Sequence, residues 1–121
     1  MREYRLTDME EKFANIIWES EPIKSPDLVK LCEVELNWKK STTYTMLKRL
    51  EYKGIFENRN SVVIALIKKE DFYAKQSKQF IEETFEGSLP RFLTAFTRSK
   101  KLSHTEIDEL QKIINEHKEG K

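Results

Sequence analysis

The 121-residue chain is short of several residue types, and each shortage removes a class of function. Its one cysteine, Cys32, excludes an intramolecular disulfide, and with only two histidines no Cys/His cluster has the spacing of a zinc site. The three glycines are scattered, so no Gly-rich loop could cradle a phosphate. His104 and His117 both fall in or beside the last helical stretch, with no nucleophile paired to either, so no catalytic machinery, metal or cofactor is expected. No apolar run approaches the roughly 18 residues that a membrane-spanning helix needs. The opening "MREYRLTDMEEKF" has no apolar signal-peptide core, which makes the cytoplasm the expected compartment.

What is present is charge and amphipathic pattern. Hydrophobic residues make up 38% and charged residues 36%, the balance of a soluble, helix-rich protein. The formal net charge of +1 is unevenly spread. Residues 1–36 hold 5 Lys/Arg against 9 Asp/Glu, a net −4; residues 37–69 hold 8 against 2, a net +6; residues 70–121 hold 9 against 10, a net −1. A basic block on a near-neutral chain suits a polyanionic partner, and it also suits an ordinary solvated lysine-rich face.

Along the chain, Thr7 and Glu10 form a Thr-x-x-Glu capping box at the head of a helix with Met9, Phe13, Ile16 and Ile17 as its stripe. "SPDLVKLCEVE" predicts a second helix capped by Ser25, with Pro26 at its first position and Leu28, Val29 and Cys32 inward. A third helix follows, capped by Ser41 or Thr42 and stopped by Gly54. "IFEN" and "VVIALI" then read as strands of a hairpin turning through "RNS". Three helices followed by a hairpin is the order of a winged helix.

At 100° per residue, Thr43, Leu47, Leu50 and Gly54 of the third helix share one side, with Met46 at its margin. The opposite side holds Ser41, Thr45, Lys48 and Tyr52, flanked by Thr42 and Arg49 on one shoulder and Tyr44 on the other. A helix-turn-helix recognition helix has this layout, with one side locked to its scaffold and the other offering donors to a DNA groove. Lys39 and Lys40 add charge at the positive end of the helix dipole. The expected DNA contacts are therefore Lys39, Lys40, Ser41, Thr42, Tyr44, Thr45, Lys48 and Arg49, with Arg59 and Asn60 at the hairpin tip. Taken singly, each has an ordinary structural use: Ser41 and Thr42 as caps, Arg49 on the scaffold, Tyr52 against the hairpin, Arg59 and Asn60 in a solvated turn.

From Glu70 onward the pattern is helical, through "EDFYAKQSKQFIEETFEG", "SLPRFLTAF" and "SHTEIDELQKIINEH", the last opened by a Ser103–Glu106 capping box. About 50 residues make a poor independent core. The segment nonetheless carries Phe80, Phe85, Leu89, Phe92, Leu93, Phe96, Leu102, Ile107, Leu110, Ile113 and Ile114. Burial against a second copy in a two-fold dimer is the simplest use of that surface, and folding back on the N-terminal domain is the other. The expected fold class is mainly α with a small β-hairpin: a winged helix-turn-helix DNA-binding domain over residues 1–69 and a C-terminal three-helix dimerisation region over 70–121.

"LTDMEEKFANIIWES", Trp38, "STTYTMLKRLEYKGIF", "FIEETFEGSLPRFLTAF" and "KLSHTEIDELQKIIN" together resemble the penicillinase and methicillin-resistance repressor family across residues 6–116. The resemblance implies a homodimeric winged-helix transcriptional repressor that acts on a palindromic double-stranded DNA operator, its third helix in the major groove. It also implies induction by a regulatory protease linked to a membrane sensor of β-lactams, which ties the family to antibiotic resistance. The matching bond is Ala95–Phe96, where Ala95 stands in place of the Asn of well-known members. The copper-responsive branch ends in a cysteine cluster that this chain lacks, so copper sensing is not expected. The competing expectation is a winged-helix protein-interaction module without DNA binding.

Overall fold

The computed structural model describes residues 4–120. The elements are α1 (Asp8–Ser20), β1 (Ile23–Lys24), α2 (Ser25–Leu36), α3 (Lys40–Tyr52), β2 (Phe56–Arg59), β3 (Val62–Ala65), α4 (Lys69–Phe85), α5 (Leu89–Ser99) and α6 (His104–Lys118). The chain is mainly helical, with one small antiparallel sheet in the order β1-β3-β2. It divides into two compact units, the first ending at Gln79 and the second beginning at Phe80, so the boundary falls inside α4.

The first unit is a winged helix. Thr7 and Glu10 make the expected capping box: Thr7 Oγ1 accepts the Glu10 N–H at 3.2 Å and Glu10 Oε1 accepts the Thr7 N–H at 2.8 Å. α3 ends in a Schellman arrangement, with the Gly54 N–H bonded to the Glu51 carbonyl and the Ile55 N–H to the Leu50 carbonyl. Gly54 takes φ +79°, the left-handed conformation that this ending needs. β2 and β3 pair Arg59 with Val62, leaving a two-residue turn of Asn60 and Ser61, both at positive φ, as a tight hairpin with right-handed strand twist requires.

Four local expectations are corrected. A third strand exists: Ile23 and Lys24 pair with Val63 and Val62, a run too short to show alternation in the sequence. That extended backbone makes Lys24 the N-cap of α2, so Ser25 is the first helical residue and its N–H bonds to the Ser61 carbonyl. α3 begins at Lys40, and neither Ser41 nor Thr42 caps it. Met9, in the first turn of α1, is exposed, while Phe13 and Ile17 farther along the stripe are buried.

The core joins Phe13, Ala14 and Ile17 of α1 to Leu28 and Cys32 of α2, Met46, Leu47 and Leu50 of α3, and Ile55, Phe56 and Val63 of the wing. Phe72 of α4 completes it, fully buried. Trp18 stands among Phe56, Phe72 and Tyr73 at centroid distances of 5.3, 5.6 and 6.0 Å, and its indole N–H donates to the Ile67 carbonyl at 3.1 Å. Cys32 is a core residue, and burial pushes its thiol up to about 11, the thiolate of an inert cysteine being suppressed.

In the second unit α5 opens on Ser88, whose Oγ accepts the Arg91 N–H at 3.2 Å, and α6 on the Ser103–Glu106 capping box. Phe85 and Phe92 meet edge-to-face at 5.5 Å, with Phe80 and Phe96 against Phe92 at 6.1 and 6.0 Å. No residue of α5 or α6 is buried.

Candidate nucleic-acid interface

α3 is held from below. Thr43, Met46, Leu47 and Leu50 are buried, and Tyr44 is half-buried against the core with its hydroxyl donating to Ser25 Oγ at 3.3 Å. Because those residues fix the helix's rotation, Ser41, Thr45, Lys48 and Tyr52 are all turned to solvent, with Thr42 and Arg49 beside them. Lys39 and Lys40 are exposed at its start.

The electrostatics of this face follow from where its charges go. The one acid on α3, Glu51, is drawn toward the wing, where its Oε2 accepts the Asn58 N–H at 3.4 Å. Lys53, just past the helix, pairs with Glu10 at 3.0 Å. Among the described residues no ion pair involves Lys39, Lys40, Lys48 or Arg49; Arg49 makes only a 3.7 Å contact from Nη1 to Met46 Sδ. Four uncommitted cations therefore stand on a helix surface whose acid has been withdrawn.

The start of α3 adds donors. Its first turn contains no acid, its N-cap Lys39 makes no side-chain capping bond, and the first backbone bond of the helix runs from the Thr43 N–H to the Lys39 carbonyl at 3.1 Å. The N–H groups of Lys40, Ser41 and Thr42 precede it, at the positive end of the dipole, where an anion is stabilised.

The sequence-predicted contacts fall into two groups. Lys39, Lys40, Ser41, Thr42, Thr45, Lys48 and Arg49 share the exposed side of α3, while Tyr44 is turned partly inward and acts as a strut to α2. Arg59 and Asn60 are exposed at the wing, and Arg59 Nη2 is paired with Glu57 Oε2 at 2.7 Å, which mutes its charge. Tyr52, which the wheel places opposite the buried side, is 95% exposed on the same stripe as Ser41, Thr45 and Lys48 and does not pack against the hairpin.

The residues expected to dimerise are apolar and incompletely covered. Phe80, Leu89, Phe96, Ile107 and Ile114 are 48%, 61%, 40%, 46% and 54% exposed, and Phe85, Phe92, Leu93, Leu102 and Leu110 are half-buried. Phe92, Leu93, Phe96, Leu102, Leu110 and Ile113 line a cavity of about 280 Å³ between α5 and α6. The Ala95–Phe96 bond lies within α5, where the Phe96 carbonyl accepts the Lys100 N–H at 3.1 Å. Among the described residues no cluster of His, Cys, Asp and Glu could hold a metal, and no helix is long and apolar enough to cross a membrane.

Comparison with known proteins gives a consistent result. The family model described as penicillinase repressor matches residues 6–116. The chain is 30% identical over 121 residues to the penicillinase repressor of Bacillus licheniformis, covering 97% of this chain and 94% of that protein. It is 28% identical to the methicillin resistance regulatory protein MecI of Staphylococcus aureus and 27% identical to that of Mammaliicoccus sciuri. Each of these two alignments spans 93% of this chain and 94% of the relative.

Proposed function

The chain belongs to the penicillinase repressor family, and on that premise we propose that it is a transcriptional repressor binding a palindromic DNA operator as a homodimer. One observation carries the DNA reading: the exposed side of α3 holds Lys39, Lys40, Lys48 and Arg49 free of ion pairs among the described residues, while Glu51 is turned to the wing. Lysines and arginine neutralise phosphates, Ser41 and Thr42 bring hydroxyls and first-turn N–H groups close to the backbone, and Thr45 can set its methyl against a thymine methyl. An acidic protein partner could use the same cations, but it has no need of small hydroxyls at the mouth of a helix.

The dimer reading rests on the second unit. Apolar side chains on α4, α5 and α6 are left half-covered or exposed in the single chain, and a two-fold copy supplies a self-complementary cover. Two copies of α3 then meet two half-sites, and linking the two events raises overall affinity without any new contact. A cut at Ala95–Phe96 would separate α6 and its Ile107, Leu110 and Ile114 from the rest, the induction step that the family likeness suggests. A protease would first have to unwind α5 around that bond, because proteases bind extended backbone and this peptide is helical.

The test is selection of duplexes from a random DNA pool by the purified protein, followed by gel shift of the recovered site at two salt concentrations. The expected result is a two-fold symmetric site bound with steep salt dependence, about 0.9 in log–log slope per phosphate neutralised. Recovery of no preferred duplex, or salt-independent binding, would reject the reading.

A further inference from the structure

Every other described aromatic side chain of the first unit either belongs to its core or packs against it: Tyr4, Phe13, Trp18, Trp38, Tyr44, Phe56, Phe72 and Tyr73. Tyr52 does neither. It is 95% exposed, and among the described residues it has no ring contact, hydrogen bond or ion pair. It does not lean on the wing, although α3 leads directly into it. The ring therefore contributes nothing visible to the fold, and its position is the remaining clue.

That position is specific. On an α-helix, residues 41, 45, 48 and 52 fall within an arc of about 60°. Tyr52 thus continues the stripe of Ser41, Thr45 and Lys48 at the opposite end of α3 from the cation-rich start. Along the axis, Ser41 and Tyr52 are separated by roughly 16 Å, eleven residues at about 1.5 Å each. A recognition helix lies in the major groove with its N-terminal residues at the base edges, and a straight helix leaves the floor of a curved groove within a few turns. With Ser41 and Thr45 over base edges, Tyr52 at the far end of α3 would face the edge of the groove, where sugars and phosphates run.

Tyrosine chemistry suits a rim. Its ring offers an apolar surface for deoxyribose carbons, and its hydroxyl is a neutral donor that can reach a phosphate oxygen. It has few rotatable bonds, so ordering it against DNA costs less than ordering a lysine at the same place. A neutral contact also displaces few counterions, so it should add affinity that salt does not screen.

We propose that Tyr52 is a further operator-contacting residue, laid against the sugar–phosphate backbone at the flank of each half-site and contributing affinity largely independent of salt. The proposal rests on the DNA-binding reading of α3, and the test separates the two. Full-length Tyr52→Ala and Lys48→Ala would be compared with the wild type on the duplex recovered by selection, at roughly 50 and 200 mM salt. Circular dichroism and thermal melting should match the wild type for Tyr52→Ala, since the side chain is exposed. Tyr52→Ala is expected to weaken binding roughly fivefold to tenfold at both salts, with an unchanged slope. The loss should be the same on duplexes that differ only in the bases flanking the half-sites.

If Tyr52→Ala binds within twofold of the wild type while Lys48→Ala is weakened, Tyr52 lies off the DNA and the proposal falls alone. A loss that depends on the identity of the flanking base pairs would also overturn it, because the contact would then be to a base edge. If neither variant is weakened, the exposed side of α3 is not the operator-binding surface and the underlying reading falls as well.

Discussion

The Lys53 ammonium lies 3.0 Å from Glu10 Oε1, tying the residue just past α3 to the first turn of α1. The same Nζ donates to the Arg5 carbonyl at 2.9 Å, and Glu10 Oε1 also accepts the Thr7 N–H. One buried carboxylate thus closes the capping box of α1 and anchors the far end of the candidate recognition helix. Lys53 is thus committed to the scaffold, and the uncommitted cations lie toward the start and middle of α3.

That arrangement sets an acid limit on the fold. Burial alone would raise the Glu10 carboxyl, but the Thr7 N–H, the Lys53 ammonium and the Thr7 hydroxyl together hold it below the usual carboxylate value. A group whose pKa is lower folded than unfolded contributes its stability above the unfolded value, about 4.3, and loses it as pH falls through the folded one. Thermal melting between about pH 3 and 7 should therefore show Tm dropping at the acid end. Glu10→Gln should lower stability at neutral pH by about 1–3 kcal/mol and flatten that acid limb. An unchanged limb would show that other carboxylates govern it.

Lys48 stands exposed midway along the stripe, with no ion pair among the described residues. Lys48→Ala should weaken operator binding uniformly across related duplexes and reduce the log–log salt slope by about 1 per half-site contact. Arg59→Ala should change the slope less, because Glu57 already neutralises that guanidinium at 2.7 Å. Titrations at several salt concentrations would rank the two. A larger effect at Arg59 would move the main phosphate contacts from α3 to the wing.

The elements that were legible in the sequence are those with local chemistry. Thr7 with Glu10, Ser103 with Glu106, and Gly54 each announce a helix end through one or two side chains, and the inward set Thr43, Leu47 and Leu50 follows from periodicity alone. What was not legible depended on partners distant in sequence. Ile23 and Lys24 become a strand only because Val62 and Val63 lie beside them, and that pairing deprives Ser25 of its capping role. The partners of Glu51 and Lys53, the Asn58 N–H and Glu10, come from other elements and leave no local signal. On the candidate interface, the wheel gave the side of α3, but tertiary hydrogen bonding decided which charges remained available on it.

Phe72 makes the extent of the first unit testable. It is fully buried, 5.6 Å from Trp18 and 5.8 Å from Tyr4, and the Tyr4 backbone is clamped by Gln79 at 3.1 Å and Gln76 at 2.8 Å. A fragment of residues 1–69 loses all of these, whereas 1–79 keeps them. Removing a buried Phe side chain alone costs about 3–5 kcal/mol, a large share of a small domain's stability. Urea unfolding should be cooperative for 1–79 and absent or shifted far toward low denaturant for 1–69. Equal midpoints would show that the winged helix is complete without α4.

The second unit leads to the last prediction. Ile107, Ile113 and Ile114 are 46%, 61% and 54% exposed, and α6 contains no buried residue, so this helix gains little from the single chain that carries it. In the proposed dimer, a second copy would cover its apolar side together with Phe80, Leu89 and the Phe92–Phe96 pair. A fragment of residues 1–95 removes Phe96 and the whole of α6 while leaving the first unit intact. It should sediment as a monomer where the full chain sediments as a dimer, and its operator affinity should fall by roughly 10²–10⁴, the factor that linkage of two half-site contacts supplies. Half-site binding should persist at the single-site level, since α3 is untouched. A dimeric 1–95 fragment would place the self-association surface on α4 and the first turns of α5 instead, and cutting at Ala95–Phe96 could then not release the operator.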